Sequence, residues 1–177
     1  MKIKSILLVA LFAAMTTIGA LYKIPIPGSV PVSLQFFFSA LAGAALGAKL
    51  GALSQILYVV LGLIGLPIFT GGGGLSYIFM PSFGFLIGFV VFAFIVGLLL
   101  ERLKEKSFLK VYLVMLAGMM SMYFIGLPYM YMILNAGEKS ASLTYVITHG
   151  FLVFLPADII KTAAAALIAI RLKPLKK

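Results

Sequence analysis

The sequence contains no cysteine and no tryptophan, a single histidine, and only 4 acidic residues among 177. The missing cysteine excludes disulfides, thiol catalysis and thiolate metal sites. A lone histidine with so few carboxylates builds no zinc site. Tyrosine must do whatever interfacial anchoring tryptophan would otherwise do. Charge is scarce overall: charged residues make up 10% of the chain, hydrophobic residues 63%, and mean hydropathy is +1.21. A soluble domain is about half apolar and about a quarter charged. The composition therefore excludes a soluble globular domain, a disordered tail and a fibrous repeat. It indicates an integral membrane protein.

Nucleotide and catalytic signatures are missing too. The sequence holds no G-x-x-x-x-G-K-[ST], no H-E-x-x-H and no G-x-S-x-G, so the chain cannot itself use ATP by the phosphate-loop route. A proton relay would need several intramembrane carboxylates and histidines. If the chain moves a solute uphill, something else must provide the energy. The net charge of +10, from 14 Lys and Arg against 4 Asp and Glu, could suggest nucleic acid. The basic residues instead sit at the ends of apolar runs, where topology and anionic lipid account for them.

Six apolar runs divide the chain. The first, Ser5–Tyr22, is longer than the roughly 7–15 residues of a signal-peptide core and lacks a clear cleavage site, so it reads as a retained helix. Pro25, Pro27, Gly28 and Pro31 then break the chain. The other runs cover 33–46, 51–66, 83–100, 108–127 and 144–170. The run 33–46 spans only about 20 Å at about 1.5 Å per residue, short for a ~30 Å hydrocarbon core. Six helices put both termini on one side. Lys2, Lys4, Lys49, Arg102, Lys104, Lys106, Lys110, Arg171, Lys173, Lys176 and Lys177 fall there, 11 of the 14 basic residues. Lys23 and Lys139 fall opposite, and Lys161 lies within a span. The positive-inside rule makes the richer side cytoplasmic. The expected fold is all-α: one transmembrane domain over 1–177, without an internal repeat.

Several residues could carry chemistry. The uncharged loop Gly65–Phe85, between helices 3 and 4, faces outward and holds Gly71–Gly74 between Phe69 and the aromatics Tyr77 and Phe79. Four glycines let backbone approach a ligand closely. A flexible linker is the plainer reading; a lid over a pocket is the sharper one. Asp158 and Lys161, in PADIIK, share one helix face. Asp158 is the only aspartate. An intramembrane ionised group costs about 2.5–3.5 kcal/mol even on lenient scales. The pair either neutralises itself, with Lys161 snorkelling, or both point into a cavity toward a polar ligand, which is the default for such residues. Gln35 with Ser39, and Ser54, Gln55 and Tyr58, fit interhelical hydrogen bonds better than ligand contacts. His149 fits a structural hydrogen bond. Tyr123, Tyr129, Tyr131 and Tyr145 fit an interfacial belt, and some could line a pocket. Ala10 and Ala14 form a small-xxx-small pair, for packing inside this bundle or against a partner.

Gln35-Phe-Phe-Phe through Gly43, then Gly47, Gly51-Ala-Leu-Ser-Gln55 and Gly62-Leu-Ile-Gly-Leu-Pro-Ile-Phe-Thr-Gly-Gly-Gly-Gly74, resemble the biotin-specific substrate-binding component (BioY) of energy-coupling-factor transporters. Pro156-x-Asp158-x-x-Lys161 fits the same family. The resemblance runs from about Pro25 to Lys161. It implies a chain that captures biotin from outside and is not an enzyme. It implies association with a transmembrane coupling subunit and two cytoplasmic ATPases in the plasma membrane of a prokaryote, with no nucleic-acid partner and no cofactor of its own. In such components an Ala-x-x-x-Ala motif on the first helix docks on the coupling subunit, and Ala10 and Ala14 match it. Asp158 and Lys161 match polar contacts to the ligand, Phe36, Phe69 and Tyr77 supply apolar walls, and the glycine loop with Gly73 covers the site. The ureido ring offers two N–H donors and one carbonyl acceptor, complementary to a carboxylate and an ammonium.

Two other readings stand beside this one. One is the same kind of component for another small vitamin. The other is a membrane enzyme using Asp158 and His149, although nine residues of ideal helix place these about 180° apart.

Overall fold

The computed structural model describes residues 2–26, 30–136 and 140–172. Pro27, Gly28, Lys139, Lys173, Lys176 and Lys177 lie outside the described residues. Within them, 5 helical stretches are long and apolar enough to cross a membrane. Four are α1 (Ile3–Leu21), α2 (Gln35–Leu63), α3 (Phe83–Arg102) and α4 (Phe108–Asn135). The fifth, Leu143–Ala169, combines α5 (Leu143–Ile147), a π-helical turn at Thr148–Leu152 and α6 (Leu155–Ala169).

The expected short helices 33–46 and 51–66 are found as the single element α2, folded back on itself. Gly47 adopts φ 77° and ψ −179°, a conformation open to glycine and strained for side chains. Gln35 then reaches Tyr58 at 2.6 Å and Ser39 reaches Gln55 at 2.8 Å, across 23 and 16 residues. A straight helix would hold those pairs about 35 and 24 Å apart. The arms 35–46 and 48–63 therefore lie antiparallel, side by side, with one glycine in place of a loop. Small residues permit the closeness: a Cβ added to Gly51 would sit 2.9 Å from the Gly43 Cα. Gly97 of α3 backs directly onto the bend at Ala48. In lipid such van der Waals contact, rather than escape from water, holds helices together.

α4 does not stop at Leu127 as its apolar run suggests. It continues through Pro128 to Asn135. Proline removes one backbone donor, which membrane helices tolerate better than soluble ones.

Packing sets which ends meet. Leu34 N–H donates to the Gly19 carbonyl at 3.0 Å, so the first arm of α2 starts beside the end of α1. Between them the chain forms a small antiparallel ribbon, β1 (Lys23–Ile24) with β2 (Val32–Ser33). α3 packs on α2 and on α4, and α6 packs on α2 and α4. Phe92, Leu46 and Met115 are fully buried where these elements meet.

Candidate binding cleft

The helix ends nearest the β ribbon enclose a cleft between α2, α3, α4 and α6. Its envelope is about 510 Å³, open solvent included, of which about 50 Å³ is free interior. Its walls are mostly apolar: Phe36, Phe85, Leu86, Phe89, Met122 and Phe154. Its polar groups are few, namely Ser33, Gln35, Thr70, Ser82, Tyr123, Asp158 and Lys161. An apolar pocket with a few placed polar groups is how small ligands are held.

Asp158 stands in the first turn of α6, just after Pro156, where a carboxylate complements the helix N-terminus. It is 3% exposed. Tyr123 Oη donates to Asp158 Oδ2 at 2.5 Å. Lys161 Nζ pairs with Oδ1 at 2.5 Å. Lys161 does not snorkel away. It donates to the Ser33 carbonyl at 3.1 Å and lies 5.2 Å from the centre of the Phe36 ring, within cation–π range. Phe36 in turn stacks on Phe92 at 4.7 Å. The ammonium and carboxylate form one ion pair at the cleft wall.

A second set of bonds ties the cleft to the glycine loop. Ser33 Oγ donates to Gln35 Oε1 at 2.9 Å, Gln35 Nε2 donates to Tyr58 Oη at 2.6 Å, and Tyr58 Oη donates to the Ile68 carbonyl at 3.0 Å. The loop itself is ordered. Phe69 and Gly72 exchange backbone hydrogen bonds at 2.8 and 3.1 Å, with Gly72 at φ 114° and Gly74 at φ 102°, where only glycine fits without strain. Lys23 Nζ bonds the Thr70 carbonyl, and Tyr129 Oη bonds the Ile78 carbonyl. Hydrogen bonds thus hold the loop at Ile68, Thr70 and Ile78.

The cleft geometry sets the context for the comparisons. The BioY family model matches residues 1–177. The "Probable biotin transporter BioY" of Pyrococcus horikoshii is 41% identical over 98% of this chain and 98% of its own length.

This chain belongs to the BioY family.

The "Biotin transporter BioY" of Thermotoga maritima is 38% identical over 94% of each chain. A solved structure, that of the S-component for biotin from an ECF-type ABC transporter, superposes with a TM-score of 0.84 at 32% identity, covering 96% of this chain and 90% of that one.

Within this BioY chain, three of the six ligand-site residues expected from sequence meet at the cleft: Asp158, Lys161 and Phe36. Tyr77 stands one layer behind. Its hydroxyl is 3.1 Å from both Thr70 Oγ1 and Ser82 Oγ, two residues that line the cleft. Phe69 is a core residue, packed between Tyr58 and Tyr77 and under Gly62. Gly73 packs on its own loop, where a Cβ would come within 2.8 Å of the Leu66 carbonyl carbon. Phe69 and Gly73 therefore shape the cover without forming the cleft wall. Ala10 and Ala14 lie on the exposed face of α1 with Leu7, Leu11 and Ile18.

Tyr123 is buried at 3% exposure in the middle of α4, not in an interfacial belt. Its partner is 35 residues away, beyond what spacing can reveal. The one available signal was a hydroxyl inside an apolar helix. His149 is half-buried, with Nδ1 3.0 Å from the Tyr145 carbonyl and its ring stacked on Tyr145. It is not part of the cleft wall.

Proposed function

We propose that this chain is the biotin-binding membrane subunit of an energy-coupling-factor transporter, working with a coupling subunit and two cytoplasmic ATPases. The observation that carries the reading is the Asp158–Lys161 pair: a carboxylate 3% exposed, with an ammonium 2.5 Å from its Oδ1, at the wall of an apolar cleft. Burying a charge pair in an apolar bundle is costly. A carboxylate oxygen has lone pairs beyond the one facing the ammonium, so it can also accept from a ureido N–H, and the ammonium suits the ureido carbonyl. The rings and aliphatic tail of biotin suit Phe36, Phe85, Phe89 and Met122. The names carried by the relatives agree with this ligand.

The proposed topology has six spans, counting the arms of α2 separately, with both termini cytoplasmic in a prokaryotic plasma membrane. The reversal at Gly47 supports it, because Lys49 then shares a side with Lys2, Lys4 and the α3–α4 connector. The glycine loop covers the outer mouth. Its pins on Ile68, Thr70 and Ile78 must loosen for a bicyclic ligand to pass. No cofactor is needed. The enzyme reading loses its residue pair, since His149 stacks on Tyr145 and does not line the cleft with Asp158.

The test is equilibrium binding to the purified chain, with thiamine and riboflavin as controls. Biotin alone should bind. Asp158→Asn and Lys161→Ala should each weaken it more than tenfold with the fold intact, since a hydrogen bond to a charged group contributes about 1.5–3 kcal/mol. Unchanged binding in either variant removes that residue from the site, and binding of another vitamin alone transfers the reading to that ligand. For the partner, Ala10→Leu with Ala14→Leu should keep biotin binding while uptake by the full complex falls. Undiminished uptake would remove α1 from the docking face.

A further inference from the structure

Tyr123 stands between two cavities. On one side is the cleft. On the other is a wholly apolar surface groove with an envelope of about 920 Å³, open solvent included, lined by Phe124, Leu127, Leu143, Ile147 and Phe151 among others. Two rings grip the tyrosine edge-on: Phe151 at 4.7 Å and Phe85 at 6.2 Å between centroids. Through this partition its hydroxyl reaches Asp158 Oδ2 at 2.5 Å. The two carboxylate oxygens thus have different fates. Oδ2 accepts from the Tyr123 hydroxyl, while Oδ1 pairs with the flexible Lys161 ammonium at 2.5 Å.

A carboxylate turns easily about its last torsion, which has broad, two-fold preferences. With only the flexible Lys161 as partner, Asp158 could rotate to satisfy the ammonium fully and present nothing to a ligand. We infer that Tyr123 is a positioning residue for ligand capture: it fixes the Asp158 carboxylate so that Oδ1 stays presented to the ligand, and its clamped ring closes the cleft against the lipid side. This rests on the reading of Asp158 as a ligand acceptor.

The experiment measures biotin affinity and thermal midpoint for the full-length chain carrying Tyr123→Phe, Asp158→Ala, or both, with biotin raised to saturate the weakest variant. Tyr123→Phe deletes one oxygen and should weaken binding about tenfold, in the range of a single charge-assisted hydrogen bond. In the Asp158→Ala background it should change affinity less than twofold, because nothing is left to position. A purely structural tyrosine would cost the same in both backgrounds, and that result overturns the inference. Weak binding by Asp158→Ala with Tyr123→Phe like wild type also overturns it while leaving the biotin site standing. Unaltered binding by Asp158→Ala would remove the site itself. Should Tyr123→Phe not fold, Phe151→Leu loosens the ring from behind. It should weaken binding several-fold, and only when Asp158 is present. Unchanged affinity there counts against the positioning role.

Discussion

Between α1 and the two arms of α2, Thr16, Ser39, Ser54 and Gln55 are each 0% exposed. Gln55 joins them, accepting from Ser39 Oγ at 2.8 Å and donating to Thr16 Oγ1 at 3.2 Å and to Ser54 Oγ at 3.1 Å. The Thr16 and Ser54 hydroxyls donate to their own helices, at the carbonyls of Phe12 and Gly51, and Ser39 shares its single proton between Gln55 Oε1 and the Gln35 carbonyl. Between α4 and α6, Tyr123 and Asp158 are each 3% exposed and Lys161 is partly exposed; a hydrogen bond and an ion pair join the three, and a cavity opens beside them. Both clusters place polar atoms in an apolar bundle, where an unsatisfied group is expensive. The first spends its polarity on joining helices. The second sets its hydrogen bond and ion pair beside open space. On the proposed reading, that adjoining cavity, more than polarity or burial, separates the ligand-binding cluster from the structural one.

Substitution can break that distinction. The largest effects on binding belong to the open cluster: the Asp158 and Lys161 variants should lose more than tenfold in affinity with a modest change in thermal midpoint. Gln55→Leu should do the reverse. It removes the hub of the closed cluster and should lower stability by about 1–2 kcal/mol, the range of one or two interhelical bonds, with affinity within about twofold of wild type. Thermal unfolding and biotin titration on the same samples check both. A Gln55 variant that unfolds no earlier yet binds poorly would erase the distinction.

Gln35 tests the boundary between the clusters. Its side chain lines the cleft, bonds Ser33 and Tyr58, and through Tyr58 reaches the Ile68 carbonyl at the root of the cover. Its backbone carbonyl accepts from Ser39 of the closed cluster. Gln35→Ala should therefore show both symptoms at reduced size: about threefold to tenfold weaker binding and a loss of about 1 kcal/mol. An effect on only one of the two would assign Gln35 to a single cluster.

The sequence made much of this legible. The apolar runs located the spans, because lipid leaves little choice but helices for crossing. Asp158 and Lys161 stood out as charges inside such a run, and their three-residue spacing put them on one face. Ser39, Gln55 and Tyr58 read correctly as interhelical bonding. The bend was less legible. The runs 33–46 and 51–66 read as two helices, but Gly47 alone turns the chain between them, and small residues on both arms let them touch. The fifth run read as ending at Leu127, although the bundle carries α4 past Pro128. The cover was half read. Aromatics beside glycines suggested walls, but Phe69 and Gly73 serve the loop's own packing while Thr70 and Ser82 face the cleft. Tyr123 was not legible as a partner of Asp158, since that pairing depends on how α4 and α6 cross.

The smallest expected effect is the sharpest check on the closed cluster. Ser54 Oγ donates to the Gly51 carbonyl at 2.7 Å and accepts from Gln55 Nε2 at 3.1 Å. In Ser54→Ala, Gln55 Nε2 still reaches Thr16, and its Oε1 still accepts from Ser39. Gly51 still has its helical carbonyl partner four residues on, as the helix geometry requires. The network thus re-closes around the deletion, and a hydrogen bond inside a membrane bundle averages only about 0.6 kcal/mol. The thermal midpoint should fall by about 2 °C or less, and biotin affinity should not move. A loss several times larger would mean that the cluster has no slack. Its polar groups would then be as finely balanced as those around Asp158, and the two regions would differ in position more than in kind.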